Sequence, residues 1–381
     1  MTDFKDVINV GISDENVAVF EGQYKVKGMA YNSYLIKDEK VAVLDTVDLR
    51  YGEQWIKNIR ATGLKPDYLF VTHVEPDHSS NIALFTREFP DAEIVASAKA
   101  FSMIKNFYGE SATGKKTEIK DGDSFFIGKR ELLFIAAPMV HWPEVTMIYD
   151  KTDKILFSAD AFGRFGTGGN PDDRINEMRR YYTGIVCKYG AQVQAVLKKI
   201  AAFSVTAICP LHGEIITENL GDYIGLYDAW SAYRAEKKST AIFYASVYGN
   251  TAKAAIYLAD EIEKASGSRP PVFDLATCDM HEAVAAAFAF SNSVFAATTY
   301  NADVFPYMRD FITRLTERNF KNRKIGFIEN GSWAPNAVKV MTSLFEKCEN
   351  LSFCETKVRI LSSMNEQNLT EIKNLAKELA E

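Results

Sequence analysis

Over the first 235 or so residues, short apolar runs alternate with polar loops and occasional helical stretches. Runs at residues 41–44, 68–71, 93–95, 132–135, 155–157 and 205–209 end in polar or turn-forming positions and predict strands. Apolar spacing of three and four over residues 51–62 and 189–203 predicts helices. Several strands follow one another directly, so this half reads as mixed α/β. From residue 239 the pattern becomes regular. Apolar runs at 241–245, 272–275, 293–298, 324–329 and 355–360 alternate with helical spacing at 251–265, 281–288, 306–316, 335–346 and 366–379. Five such βα units predict an open, doubly wound parallel sheet with helices on both faces. The charged run Arg234-Ala235-Glu236-Lys237-Lys238 reads as the end of a helix, which sets the domains at residues 1–238 and 239–381.

A chain of 381 residues fits two domains, each long enough to bury a core. With 47% hydrophobic and 25% charged residues it is neither disordered nor a disulfide-stapled miniprotein. The net charge of −6, with no Lys/Arg block, argues against nucleic acid or a membrane surface as partner. No signal peptide is visible at the start, and the most apolar stretch, residues 283–290, is too short to span a bilayer. Cysteines at 187, 209, 278, 348 and 354 contain no C-x-x-C pair. They read as reduced thiols, which points to a cytoplasmic protein and excludes a fused rubredoxin-like or zinc-ribbon module.

The chain has only five histidines, and four of them follow predicted strands. Thr72-His73-Val74-Glu75-Pro76-Asp77-His78 leaves the run at 68–71. In an extended backbone it turns His73, Glu75 and Asp77 to one side and His78 to the other. His141, Asp160 and His212 follow the runs at 132–135, 155–157 and 205–209. A lone loop histidine is usually structural; four of them joined by three carboxylates point to metal. Seven ligands exceed one tetrahedral zinc, so two ions are expected, with Asp160 as the bridge. Imidazole and carboxylate without thiolate suit iron or manganese. Only His281 lies outside the set. Trp142-Pro143-Glu144 follows His141, and core packing accounts for Trp142 at least as well as a direct role. The glycines at 163, 166, 168 and 169 read as a flexible rim, since no helix start follows at phosphate-loop spacing.

The pattern His73-x-Glu75-x-Asp77-His78, His141, Asp160, His212 resembles the metallo-β-lactamase-like domain of the flavodiiron proteins, with Glu75 where hydrolytic members carry histidine. The resemblance runs through nearly the whole chain. It implies an αββα domain in which His73, Glu75 and His141 hold one iron, and Asp77, His78 and His212 the other. Asp160 would bridge them, and no catalytic residue beyond these ligands is implied.

In the second half, Ser246-Val247-Tyr248-Gly249-Asn250-Thr251 follows a strand and opens a helix, a setting where hydroxyls and backbone N–H groups surround a phosphate without Lys or Arg. It resembles the flavodoxin phosphate loop. Thr298-Thr299-Tyr300-Asn301-Ala302 and Asn330-Gly331-Ser332-Trp333-Ala334 leave other strand ends of the same sheet. There they would meet the flavin ring, with Trp333 as a stacking face and Tyr300 at even odds. G-x-G-x-x-G is missing, which favours FMN over FAD or NAD. The resemblance implies an oxidoreductase that uses FMN and a non-haem diiron pair to reduce dioxygen to water, nitric oxide to nitrous oxide, or both. It also implies a head-to-tail homodimer, alone or as a dimer of dimers, fed by rubredoxin or another reduced donor. Two rivals are a dizinc hydrolase with an appended flavodoxin domain and a flavodoxin-like electron carrier whose first domain only binds partners.

Overall fold

The computed structural model describes residues 4–169 and 173–380. The chain divides into two compact units, Met1–Asp228 and Ala229–Glu381.

The first unit is built on two facing sheets. One has six strands in the order Val7–Asn9, Tyr34–Lys37, Val41–Leu44, Tyr68–Phe70, Glu93–Ser97, Lys115–Ile119, antiparallel at the first two pairings and parallel thereafter. The other has five, Ser124–Phe126, Glu131–Ala136, Thr146–Asp150, Ile155–Phe157, Ala207–Cys209, with only the last pairing parallel. Alternation along the strands sorts their side chains. Tyr34, Ile36, Ala42, Leu44, Phe70 and Val95 meet Leu132, Phe134, Ile148, Ile155 and Phe157 between the sheets. Leu35, Val43, Leu69 and Ile94 point outward into a second core, where Trp55, Ile56 and Ile59 of the helix Gly52–Ala61 and Phe101 and Ile104 of Ala98–Tyr108 cover them. Ser97 starts the latter helix by accepting from the Ala100 N–H (3.1 Å). The helix Gly190–Ile200 buries Val193, Val196 and Ile200. The result is the αββα sandwich.

The second unit holds five parallel strands in the order Val272–Asp274, Lys237–Ala245, Phe290–Tyr300, Arg323–Asn330, Leu351–Ile360. The helices Asn250–Ser266 and Glu366–Ala380 cover one face through Leu258, Ile262, Ile372 and Leu375. The order 2-1-3-4-5 reverses direction at Lys237–Ala245, the switch point of a doubly wound sheet.

Two local readings change. The charged run 234–238 is not a helix end: the helix Leu220–Ser231 stops before it, and Lys237 already belongs to the strand Lys237–Ala245. A helix, Arg174–Tyr181, does begin shortly after the glycine-rich stretch, within which Gly166 pairs with Met29 as an isolated bridge.

Candidate metal centre and flavin cleft

Strand ends deliver all seven predicted metal-site residues. After Tyr68–Phe70 the chain is fixed by Asp45, at the end of the neighbouring strand Val41–Leu44. Asp45 accepts from the backbone N–H groups of Thr72 (2.7 Å) and His73 (3.3 Å). Pro76 occupies the first position of a single helical turn, Pro76–Ser79, with Glu75 as its extended cap (φ −55°, ψ 139°). That turn corrects the simple alternation: Asp77 leaves the side shared by His73 and Glu75 and joins His78.

Two groups result. His73, Glu75, His141 and Asp160 form one, and Asp77, His78 and His212 the other, with the donor atoms of each within 4.8 Å of one another. In the first, His141 Nε2 lies 3.0 Å from Glu75 Oε2 and 2.9 Å from Asp160 Oδ2. His73 Nε2 lies 3.2 Å from Glu75 Oε2 and 3.4 Å from Asp160 Oδ2. In the second, the Nε2 atoms of His78 and His212 are 3.0 Å apart, and each is 3.3 Å from Asp77 Oδ2. Asp160 faces both groups: while Oδ2 serves the first, Oδ1 lies 3.3 Å from His78 Nε2 and 3.8 Å from His212 Nε2.

Groups outside this set fix the imidazoles. Glu144 Oε1 accepts from His73 Nδ1 (2.8 Å) and from the Val74 N–H (2.9 Å). The Ala30 carbonyl accepts from His212 Nδ1 (2.7 Å). A carboxylate and a carbonyl can only accept, so both rings carry hydrogen on Nδ1 and turn Nε2 inward. Glu144 was missed as a functional residue because no spacing rule ties it to His73, 71 positions earlier. Ala30, acting through its carbonyl, leaves no side-chain signal at all. Trp142 stands edge-on to His73 at 5.3 Å and stacks on Phe107.

His73, His78 and Asp160 are fully buried, and His212 and His141 nearly so. Both oxygens of Asp77 and Oδ1 of Asp160 are buried with no hydrogen-bond partner. Such anionic oxygens are costly unless a cation or a proton meets them. Burial alone would push the Asp160 carboxyl up, but the charges of His73 and His78 outweigh it and hold it well below the usual range. Burial works against charge on His141 as well, yet Asp160 and Glu75 lift it to about 9. The same carboxylates, with Glu144, raise His73. The centre thus calls for positive charge among its nitrogens and carboxylates. An all-N/O donor set with one carboxylate shared between two groups fits two divalent cations.

In the second unit, loops at the carboxyl ends of the strands enclose a cavity of about 510 Å³. Ser246, Tyr248, Asn250, Thr251, Thr298, Thr299, Tyr300, Asn301, Ser332, Trp333 and Ala334 all line it. So do Val247, Ala302, Asn330, Gly331 and Ser362, of which Ser362 comes from a loop the sequence reading passed over. Gly249 does not line it; it caps the helix Asn250–Ser266 in a left-handed conformation (φ 85°) and donates its N–H to Ser246 Oγ (3.0 Å). No side chain caps this helix, so its first N–H groups stay open to an anion. Neither Lys nor Arg lines the cavity. Thr299 is committed elsewhere, since its Oγ1 accepts from the N–H groups of Asn336 (2.8 Å) and Ala337 (3.1 Å). Trp333 is 82% exposed and Tyr248 93%, so both rings are accessible to a planar ligand. The cleft fits a phosphate-bearing planar cofactor.

A family model described as ODP family beta lactamase matches residues 29–213. The anaerobic nitric oxide reductase flavorubredoxin of Vibrio vulnificus is 32% identical over 344 residues, covering 86% of this chain and 69% of the relative. The flavodiiron protein from Giardia intestinalis superposes with a TM-score of 0.92 at 26% identity, over 100% of this chain and 95% of that one. The rubredoxin oxygen:oxidoreductase of the anaerobe Desulfovibrio gigas shares the fold (TM-score 0.91, 22% identity, 100% and 97% coverage). The chain belongs to the flavodiiron protein family, as an oxidoreductase with a metallo-β-lactamase-like domain and a flavodoxin-like domain.

Proposed function

We propose that this protein reduces dioxygen to water, nitric oxide to nitrous oxide, or both, at a diiron pair in its first domain, with FMN in its second. The observation that carries the reading is Asp160, whose two oxygens face two separate groups of ligands. Two ferrous ions with reduced FMN supply four electrons, the number that turns one dioxygen into two waters, and two of them suffice for a pair of nitric oxide molecules. His73, Glu75 and His141 would hold one iron, Asp77, His78 and His212 the other, and Asp160 both. Glu144 and the Ala30 carbonyl keep the imidazole lone pairs aimed inward. Phe20, Tyr31 and Tyr181 pack against His212, so buried aromatic rings close that side of the centre.

At the flavin cleft, Ser246, Asn250 and Thr251 would take the phosphate, with Gly249 shaping the turn that starts the helix, and Trp333 would stack on the ring. Electrons would come from rubredoxin or another reduced donor, in keeping with the name of the Desulfovibrio relative. We infer a head-to-tail homodimer, or a dimer of dimers, that brings one chain's flavin to its partner's metals. Exposed aromatic groups at both sites support it: Tyr248 and Trp333 at the cleft, and Phe107 stacked on Trp142 beside His73. Five cysteines without a C-x-x-C pair support a cytoplasmic setting, and no helix among the described residues is long and apolar enough to cross a membrane. Glu75, standing where hydrolytic members carry histidine, and the flavin cleft favour this reading over a dizinc hydrolase. The test is anaerobic reduction of the purified protein, followed by dioxygen and nitric oxide uptake measured against iron and FMN content. Uptake of either gas that scales with both cofactors supports the reading; ester or thioester hydrolysis that scales with zinc contradicts it.

A further inference from the structure

Three buried aromatic rings surround the ligand His212: Phe20 at 5.3 Å, Tyr31 at 5.9 Å and Tyr181 at 5.5 Å between centroids. Phe20 and Tyr181 pack on Phe165, and Phe165 packs on Tyr24, so that path stays in the core. Tyr31 leads the other way. Its ring lies 5.6 Å from that of Tyr51, which is only partly buried and donates its phenol hydrogen to the carboxylate of Asp14. The strand Met29–Tyr31 pairs with Ile12–Asp14, and the turn Leu49–Tyr51 lies against it. Four separate segments therefore put a ligand imidazole, two phenols and a carboxylate in one row from the metal centre to the surface.

Chemistry makes this row unlike the other. In the other row Phe165 separates the phenols Tyr181 and Tyr24, and a phenol is far easier to oxidise than a phenylalanine ring, most easily when a base within hydrogen-bond reach takes its proton. Tyr51 has that base. Arg50 sits over the Tyr51 ring (5.0 Å) and donates to the Tyr31 hydroxyl (3.3 Å), so a positive charge left on either ring is disfavoured. An electron can leave Tyr51 only as its proton leaves.

We propose that Tyr31 and Tyr51 form an escape path that carries a stray oxidising equivalent from the metal centre to the surface, with Asp14 as the proton acceptor. This rests on the reading of the site as an oxygen-reducing metal pair. The oxidant is the dioxygen-oxidised centre when electron supply falls short. Tyr51 gives up one electron, which crosses the Tyr31 ring to that centre, and its phenol proton moves to the Asp14 carboxylate. The products are a neutral phenoxyl at Tyr51 and a carboxylic acid at Asp14. A soluble thiolate then returns one electron and becomes a thiyl radical, two of which couple to a disulfide; Asp14 returns the proton, and both side chains are restored.

The test turns over the iron-loaded protein in air with limiting donor and a nitroso spin trap, then maps adducts by peptide mass spectrometry. The wild type is expected to carry the adduct on Tyr51. Asp14→Asn and Tyr31→Phe should each lower it about tenfold or more. Tyr51→Phe should abolish the surface adduct and reduce the turnovers completed before inactivation. Zinc-loaded protein should carry no adduct. Iron content and gas uptake are read on the same samples. Uptake with Tyr51 labelled equally in all variants that retain it, or with an unchanged lifetime in Tyr51→Phe, overturns the escape path alone. No iron and no uptake overturns the functional reading and the path with it.

Discussion

In the first unit, the groups that face one another come from far apart in the chain and are sealed from water: His78 and His212 lie 134 positions apart and touch in the interior. In the second, the cleft is lined by loops leaving neighbouring strands of one sheet, and its largest aromatic rings stand in solvent. The buried site holds carboxylate oxygens that face imidazole nitrogens but accept no hydrogen bond, so its folding energy would be tied to a bound cation. The open cleft leaves little unsatisfied, so the sheet beneath it is complete without its ligand. Loss of metal should therefore be felt throughout its unit, and loss of flavin mainly at the cleft.

Asp160→Ala breaks the comparison most severely. Removing the carboxylate shared by both groups should empty both metal positions and reduce gas uptake to background, while flavin absorbance persists; elemental analysis beside the visible spectrum checks it. Chelation should come next. A ligand present at a thousand times its Kd stabilises by about 4 kcal/mol. Stripping the metal should therefore lower the melting of the first unit by about 10 °C, with the second unchanged, as calorimetry would show. Glu144→Gln sharpens the contrast, because it keeps the shape yet weakens the orientation of His73. Iron affinity should fall about 10- to 100-fold in a chelator competition, with FMN retained. Glu75→Ala should likewise lower iron occupancy and leave flavin absorbance intact. Trp333→Ala should have the smallest effect, since an exposed stacking ring contributes about 1 kcal/mol: FMN dissociates several-fold more readily in a fluorescence titration, and iron stays. Should either of the last two remove both cofactors from a folded chain, the separation of the sites is wrong.

The sequence carried the second unit almost entirely, because in a doubly wound sheet each strand, loop and helix is a local apolar pattern. The first unit was less legible. The strands Tyr34–Lys37, exposed only at Lys37, and Thr146–Asp150, buried throughout, are short, and Lys115–Ile119 is a polar edge, so none shows clean alternation. The candidate metal ligands stood out because histidine is scarce and every candidate followed an apolar run. What supports them did not. Glu144 reaches His73 only through the fold, Ala30 acts through its backbone, and the turn Pro76–Ser79 swings Asp77 to the other group, a change that period-two reasoning misses. At the cleft, Thr299 both lines the cavity and caps the helix Ala337–Leu344, a second role that the sequence does not show.

The most direct test of the shared-carboxylate centre is the iron content per polypeptide after anaerobic reconstitution of the metal-stripped protein. Two ferrous ions per chain is the predicted result. A plateau at one ion, or at none, would contradict the account.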